Sequence, residues 1–160
     1  MRAIIQKVSK AKVEVEDKLV SEIGEGFVVL LGVKETDEDS DIEYIKRKIS
    51  NLRIFEDENG KMNLSLKDVG GQILLVSQFT LYGDARKGNR PSFTESAKAE
   101  KARKYYEILI DRLRDEEFDV KTGQFQTHME VSLVNDGPVT IILDSERIVW
   151  WRFVDLLKGQ

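Results

Sequence analysis

The stretch GGQILLVSQFTL, residues 70–81, decides how this chain is read. Its centre is a short unbroken apolar run, the pattern of a strand buried on both faces. It then ends in Ser77, Gln78, Phe79 and Thr80, so hydroxyls, an amide and free backbone N–H groups arrive at the end of a buried strand. Upstream, GFVVLLGV (Gly26–Val33) has the same buried character, and Val13 and Val15 alternate with Lys12, Glu14 and Glu16 at the period of a half-buried strand. Between these runs, Ile42, Ile45, Ile49 and Leu52 recur at helical spacing, which predicts an amphipathic helix over about Asp39–Leu52. RIFEDENGKMNLSL reads as a hairpin turning at Asn59-Gly60.

Downstream, the buried strand runs into a polar loop, YGDARKGNRPSF, followed by Thr94 as a candidate cap. Ala97, Ala102, Tyr105, Leu109 and Leu113 mark the buried stripe of a second helix over about Glu95–Asp115. DVKTG, FQTHMEVSLV and VTIILD read as three further strands. The segment between the last two, Asn135-Asp136-Gly137-Pro138, reads as a turn. On base rates for X–Pro bonds its Gly137–Pro138 peptide is expected to be trans. No internal repeat or linker interrupts the pattern. The expected fold is a single compact α+β domain with two main amphipathic helices.

Composition narrows the chemistry. The 160 residues suit one domain with a real core, and 41% apolar content argues against disorder. A charged fraction of 34% without cysteine leans toward a heat-adapted source. The lack of cysteine removes disulfides, thiol catalysis and thiolate metal sites. With neither a membrane-length apolar run nor a signal-peptide pattern, a cytoplasmic address is expected. The net charge of −4 argues against indiscriminate nucleic-acid binding, yet leaves room for a small basic patch gripping one end of an RNA.

The only histidine, His128, lies in FQTHMEVSL. There Phe125, Thr127, Met129, Val131 and Leu133 share one strand face, and His128 takes the opposite, solvated one. A Ser-His-acid triad and a clustered histidine metal site are therefore not expected. No metal or cofactor is expected. The carboxylate-rich EDEN and DEDSD read as solvated charge, and no glycine pair has phosphate-loop spacing. Trp150 and Trp151, in SERIVWWRFVDLLKGQ, read as an amphipathic cover for core or interface, or as a base-stacking platform.

Together the segments MRAIIQKVSKAKVEVE, FEDENGKMNLSL, SQFTL with the following KGNRP, and NDGPVT resemble one family, the bacterial and eukaryotic D-aminoacyl-tRNA deacylases. The resemblance covers about residues 1–145, with 146–160 looking like a C-terminal extension packed on the same domain. It implies that the α+β domain has barrel-like antiparallel and mixed β-sheets, and that the protein is a homodimeric hydrolase acting on carboxylic ester bonds. The substrate would be the ester between a D-amino acid and the 3′-terminal adenosine of tRNA, and some glycyl-tRNA. It further implies a pocket built from Ser77, Gln78, Phe79 and Thr80 of one subunit. A cis Gly137–Pro138 of the other would complete it as a backbone filter that excludes L side chains. Arg86, Lys87 and Arg90 are then candidate holders of acceptor-end phosphates. The alternatives are an editing deacylase for another misacylated tRNA, and a tRNA- or DNA-binding module without catalysis. Lys7 stands where the family commonly has arginine, and Gln126-Thr127-His128 where Gly-Ala and a polar residue are usual. Both put fine specificity in question.

Overall fold

The first strand, β1 (Arg2–Val15), organises the sheet because its 14 residues are long enough to pair with two strands in turn along one edge and a third along the other. In the computed structural model, which describes residues 1–148, it is followed by β2 (Lys18–Ile23), β3 (Gly26–Gly32) and α1 (Asp39–Asn51). The small hairpin β4 (Phe55–Glu56) and β5 (Met62–Leu64) comes next, then β6 (Gln72–Ser77) and a one-turn 3-10 helix (Phe79–Tyr82). The chain continues through α2 (Ala99–Asp115), β7 (Val120–Thr122) and β8 (Glu130–Asp144).

The sheet runs β2-β1-β3-β6-β7, with β8 also paired to β1. Antiparallel pairing holds β1 to β2, β3 and β8; β3–β6 and β6–β7 are parallel, with α1 and α2 in the two crossovers. The twisted sheet brings its first and last strands together, where the Ser21 hydroxyl donates to the Thr122 carbonyl at 2.6 Å, so a barrel is nearly closed. One apolar core lies between the sheet and the two helices, joining Phe27, Leu75, Ile45, Ile49, Leu109 and Leu113. A second joins Val8, Val13, Val28, Leu74 and Val76 on the other side. Residues 73–76 are buried on both faces because each face of β6 meets one of these cores. The fold is one α+β domain, as the sequence predicts, and among the described residues no helix is long and apolar enough to cross a membrane.

Four sequence-based readings change. The second helix begins at Ala99 with Lys98 as its cap, not at Glu95 after Thr94. Ser96 and Lys34 instead form an antiparallel bridge, and the Glu95 carbonyl accepts from Glu35 N–H at 3.0 Å, so tertiary pairing claims that backbone. On the same helix Tyr106 is buried, its hydroxyl donating to the Leu75 carbonyl at 2.7 Å, while Tyr105 is only half-buried. FQTHMEVSLV is not strand throughout: Phe125–Thr127 form a turn with Gln126 in the left-handed region (φ 59°), and β8 starts at Glu130.

Finally, Asn135–Pro138 is no hairpin turn. The segments on either side of it are one strand, because both pair with β1: Asn135 lies opposite Val8, and Thr140 opposite Gln6. Over that interval β8 advances from 135 to 140 while β1 advances only from 6 to 8, so the surplus is extruded as a bulge. The Gly137–Pro138 peptide within it is cis, against the trans expectation from base rates and in line with the resemblance. The Trp-containing extension, residues 146–160, lies outside the described residues beyond Ile148; Glu146, at its start, accepts from the Lys34 ammonium at 2.8 Å.

Candidate active site

Where β6 ends, the strand has given up its ladder but the chain has not yet left the core. Gln78 N–H still donates to the Leu31 carbonyl at 2.7 Å, and the next residues tighten into the 3-10 turn. The opening N–H groups of such a turn have no intrahelical acceptor. Those are Phe79 and Thr80 here, and neither finds a partner among the described residues. Both residues are exposed, with Ser77 and Gln78 half-buried behind them. The Gln78 side-chain amide donates to the Thr80 hydroxyl. That hydroxyl is thus held by an amide, which cannot take its proton.

Ser77, Gln78 and Phe79 form one wall of a cavity of about 510 Å³, while Thr80, next along the turn, is not among its lining residues. Ala97, just before α2, and Ala99 and Ala102 in its first turn form a second wall, and their small side chains leave room between helix and strand. The third is the turn before β8, through Phe125, Gln126, Thr127, His128 and Met129. Phe125 is fixed by the Tyr106 ring at 5.9 Å and the Arg103 guanidinium at 4.9 Å. A side chain at Gly123 would meet the Met129 sulfur at 2.7 Å, so that glycine lets the wall close.

His128 is exposed, as expected of a solvated side chain, but it sits in the turn before β8 and not on a strand, and the sequence reading missed the third cavity wall to which it belongs. Its signal was the alternation of Phe125, Met129 and Val131, which was visible but equally compatible with core. His128 is exposed and makes no hydrogen bond to Ser77 or Thr80. Among the described residues no group of three or more His, Cys, Asp or Glu side chains is disposed to hold a metal ion.

Gly137 and Pro138 do not line this cavity. They form a separate, exposed projection with its own support. Gln6 bridges the two ends of the bulge, donating to the Asn135 side chain at 3.1 Å and accepting from the Thr140 hydroxyl. Lys7, 8% exposed, pairs with Asp136 at 3.3 Å and lies 5.3 Å from the centre of the Phe55 ring. Gly137 has φ +124°, and a Cβ there would come within 2.7 Å of the Val139 side chain.

The basic loop after the turn is pinned by paired backbone hydrogen bonds between Asp84 and Ser92 at 2.8 and 2.9 Å. Arg86 is committed to Asp84 through two contacts, at 2.8 and 2.6 Å, and holds the Asp84 carboxyl well below the usual carboxylate range. Lys87 and Arg90 are exposed and make no ion pair among the described residues.

A one-domain α+β protein results, with a nearly closed sheet, unpartnered backbone donors over a cavity and a separate Gly-Pro projection. A family model for D-Tyr-tRNA(Tyr) deacylase matches residues 4–144, and the chain belongs to that family. The D-aminoacyl-tRNA deacylase of Thermosipho africanus is 58% identical over 148 residues, covering 92% of this chain and 99% of the relative. A solved structure described as c-Myc DNA Unwinding Element Binding Protein superposes with a TM-score of 0.85 at 42% identity, covering 90% of this chain and 98% of that one. A probable eukaryotic D-amino acid tRNA deacylase shares the fold, with a TM-score of 0.71 at 21% identity over 89% of this chain and 98% of its own.

Proposed function

We propose that the protein hydrolyses the ester linking a D-amino acid, or glycine, to the 3′-terminal adenosine of tRNA, acting as a homodimer in the cytoplasm. The observation that carries this reading is the pair of unpartnered N–H groups at Phe79 and Thr80 beside a cavity of nucleoside size. Ester hydrolysis builds negative charge on the carbonyl oxygen, and each donor aimed at that oxygen contributes about 10²–10³ in rate. Water attacks the carbonyl carbon, the bond to the ribose 3′-oxygen breaks, and the proton lost by water ends on that oxygen. With the Thr80 hydroxyl held by an amide and His128 bonded to neither Ser77 nor Thr80, the protein positions the ester and the neighbouring ribose 2′-hydroxyl assists the water.

Chirality is read by Gly137 and Pro138 of a second copy. The projection is exposed and absent from the cavity of its own chain, as a part that completes a partner's pocket must be. A filter of backbone atoms rejects every L side chain alike, since none needs a dedicated contact. Lys87 and Arg90, with Arg86 through whatever charge its pairing leaves, hold acceptor-end phosphates.

The decisive assay compares D-Tyr-tRNA with L-Tyr-tRNA. Fast hydrolysis of the D ester alone is expected, with activity surviving chelator. Equal rates on both would remove the chiral reading and leave an editing deacylase of another kind. Binding without turnover would favour the module suggested by the name of the DNA-unwinding-element relative.

A further inference from the structure

Two phenylalanines stand exposed where a soluble protein gains nothing from exposing them. Phe79 is 55% exposed and Phe93 38%, and their rings meet edge-to-face with centroids 5.2 Å apart at 64°. In that arrangement one ring offers its edge and keeps both faces, and the other keeps its outer face, so the pair does not consume its own stacking surface. The platform is rigid. Phe93 follows the paired backbone bonds of Asp84 and Ser92, and Gly83 lies so close beneath it that a Cβ would sit 3.0 Å from the ring. Phe79 is also a wall of the cavity, so the platform continues outward from the site. Lys87 and Arg90 rise from the loop that ends at Phe93.

We propose that Phe79 and Phe93 form a stacking platform for the base of the unpaired nucleotide that precedes the esterified one, so that the enzyme grips a single-stranded RNA 3′ end and not merely an aminoacyl adenosine. This rests on the deacylase reading and names how its substrate is held. Base-on-aromatic stacking is indifferent to sequence, because every base has a π-face, and nearby cations hold the backbone. The apolar rings suit the faces of a base, and the net positive loop beside them complements the phosphates that flank it.

Phe93 is the residue to change, since the Phe79 backbone belongs to the reacting site. The probe is a short single-stranded RNA ending in CCA, with a fluorescent purine analogue in the penultimate position. Binding to the wild type is expected to quench the analogue. Phe93→Leu, which keeps apolar bulk without a π-face, should abolish the quench and weaken binding about tenfold, the loss of one stacked base. Phe93→Tyr should retain both. In turnover, Phe93→Leu should raise KM for D-aminoacyl-tRNA about tenfold with kcat kept, and leave hydrolysis of a D-aminoacyl adenosine ester unchanged.

Unquenched wild-type probe, equal losses on both esters, or no change on tRNA would overturn the platform. So would dissociation of a dimer in Phe93→Leu at unchanged quenching, which would make the pair an interface. Quenching by a wild type that hydrolyses neither ester would retire the deacylase reading and keep the RNA platform.

Discussion

At the scale of single residues, the site separates what a side chain does from what its backbone does. Thr80→Ala removes a hydroxyl that only accepts from Gln78 and keeps the N–H, so kcat should stay within about tenfold of wild type. A dead variant, or an acyl group trapped on Thr80, would instead make the Thr80 hydroxyl a covalent nucleophile. His128→Ala should likewise leave kcat nearly unchanged, because the imidazole bonds to neither Ser77 nor Thr80. Asp136 tests the support of the Gly-Pro projection. Its removal leaves the ammonium of Lys7 mostly buried without its partner, which should cost about 1–3 kcal/mol in urea unfolding, less than a fully buried pair because Asp136 is half-exposed. Lys7→Met, which keeps the apolar stem against Phe55, should recover much of that loss in the double variant. Ser77–Thr80 were legible in the sequence because they are consecutive and end a recognisable run. Lys7 was noted only as a departure, since nothing in the linear chain joins it to Asp136.

At the scale of elements, the bulge and the helix pair make the clearest demands. Gly137→Ala places a Cβ against Val139 in a conformation that L residues avoid, and should destabilise by about 1–3 kcal/mol with the rest of β8 intact. Hydrogen exchange should show the loss confined to amides around the bulge. The two helices are tied at their ends by Glu116, just beyond α2, which accepts from Lys46 and Ser50 of α1, each at 2.6 Å. The hydrogen bond from Lys46, then that from Ser50, holds the Glu116 carboxyl below the ordinary glutamate range. An acid with a depressed folded-state pKa stabilises above its unfolded value of about 4.3, and that contribution disappears as pH falls through the folded one. Glu116→Gln should therefore be less stable than wild type at pH 7, with the gap in unfolding midpoint closing as the buffer is taken below about pH 4. Both helices were legible as elements from their apolar period. The start of α2 was not, because pairing between segments far apart in sequence took residues that local capping rules would assign to the helix.

At the scale of the molecule, the ends of the described chain are drawn into one polar knot. The Met1 ammonium is fully buried and donates to Asp37 at 2.5 Å and to the Ser145 hydroxyl at 2.6 Å. Asp37 also accepts from the Lys34 N–H at 2.7 Å. Asp37→Ala strands a buried cation and a backbone donor together, so a loss of about 3–5 kcal/mol is expected in denaturant unfolding. A change below 1 kcal/mol would mean that water reaches the ammonium. Assembly belongs to this scale as well. The proposed filter, projecting from another copy, predicts a dimer by sedimentation at working concentrations, and a stable, fully active monomer would contradict the proposal.

What the sequence determined by itself was whatever depends on near neighbours along the chain. Apolar period settled two helices and the buried strands, composition removed thiol and clustered-histidine chemistry, and the order of short motifs identified the family. Tertiary structure alone decided which of those pieces meet. The continuity of β8 through Gly137–Pro138 depends on β1 supplying ladder partners on both sides of the bulge, more than a hundred residues away in sequence. The third wall of the cavity exists because α2 and the turn at Phe125–Thr127 both pack over the end of β6. Hydrogen-bond ladders and buried surface are satisfied in space and are blind to sequence distance. A local pattern can therefore announce that a residue will be buried or paired, but not with what.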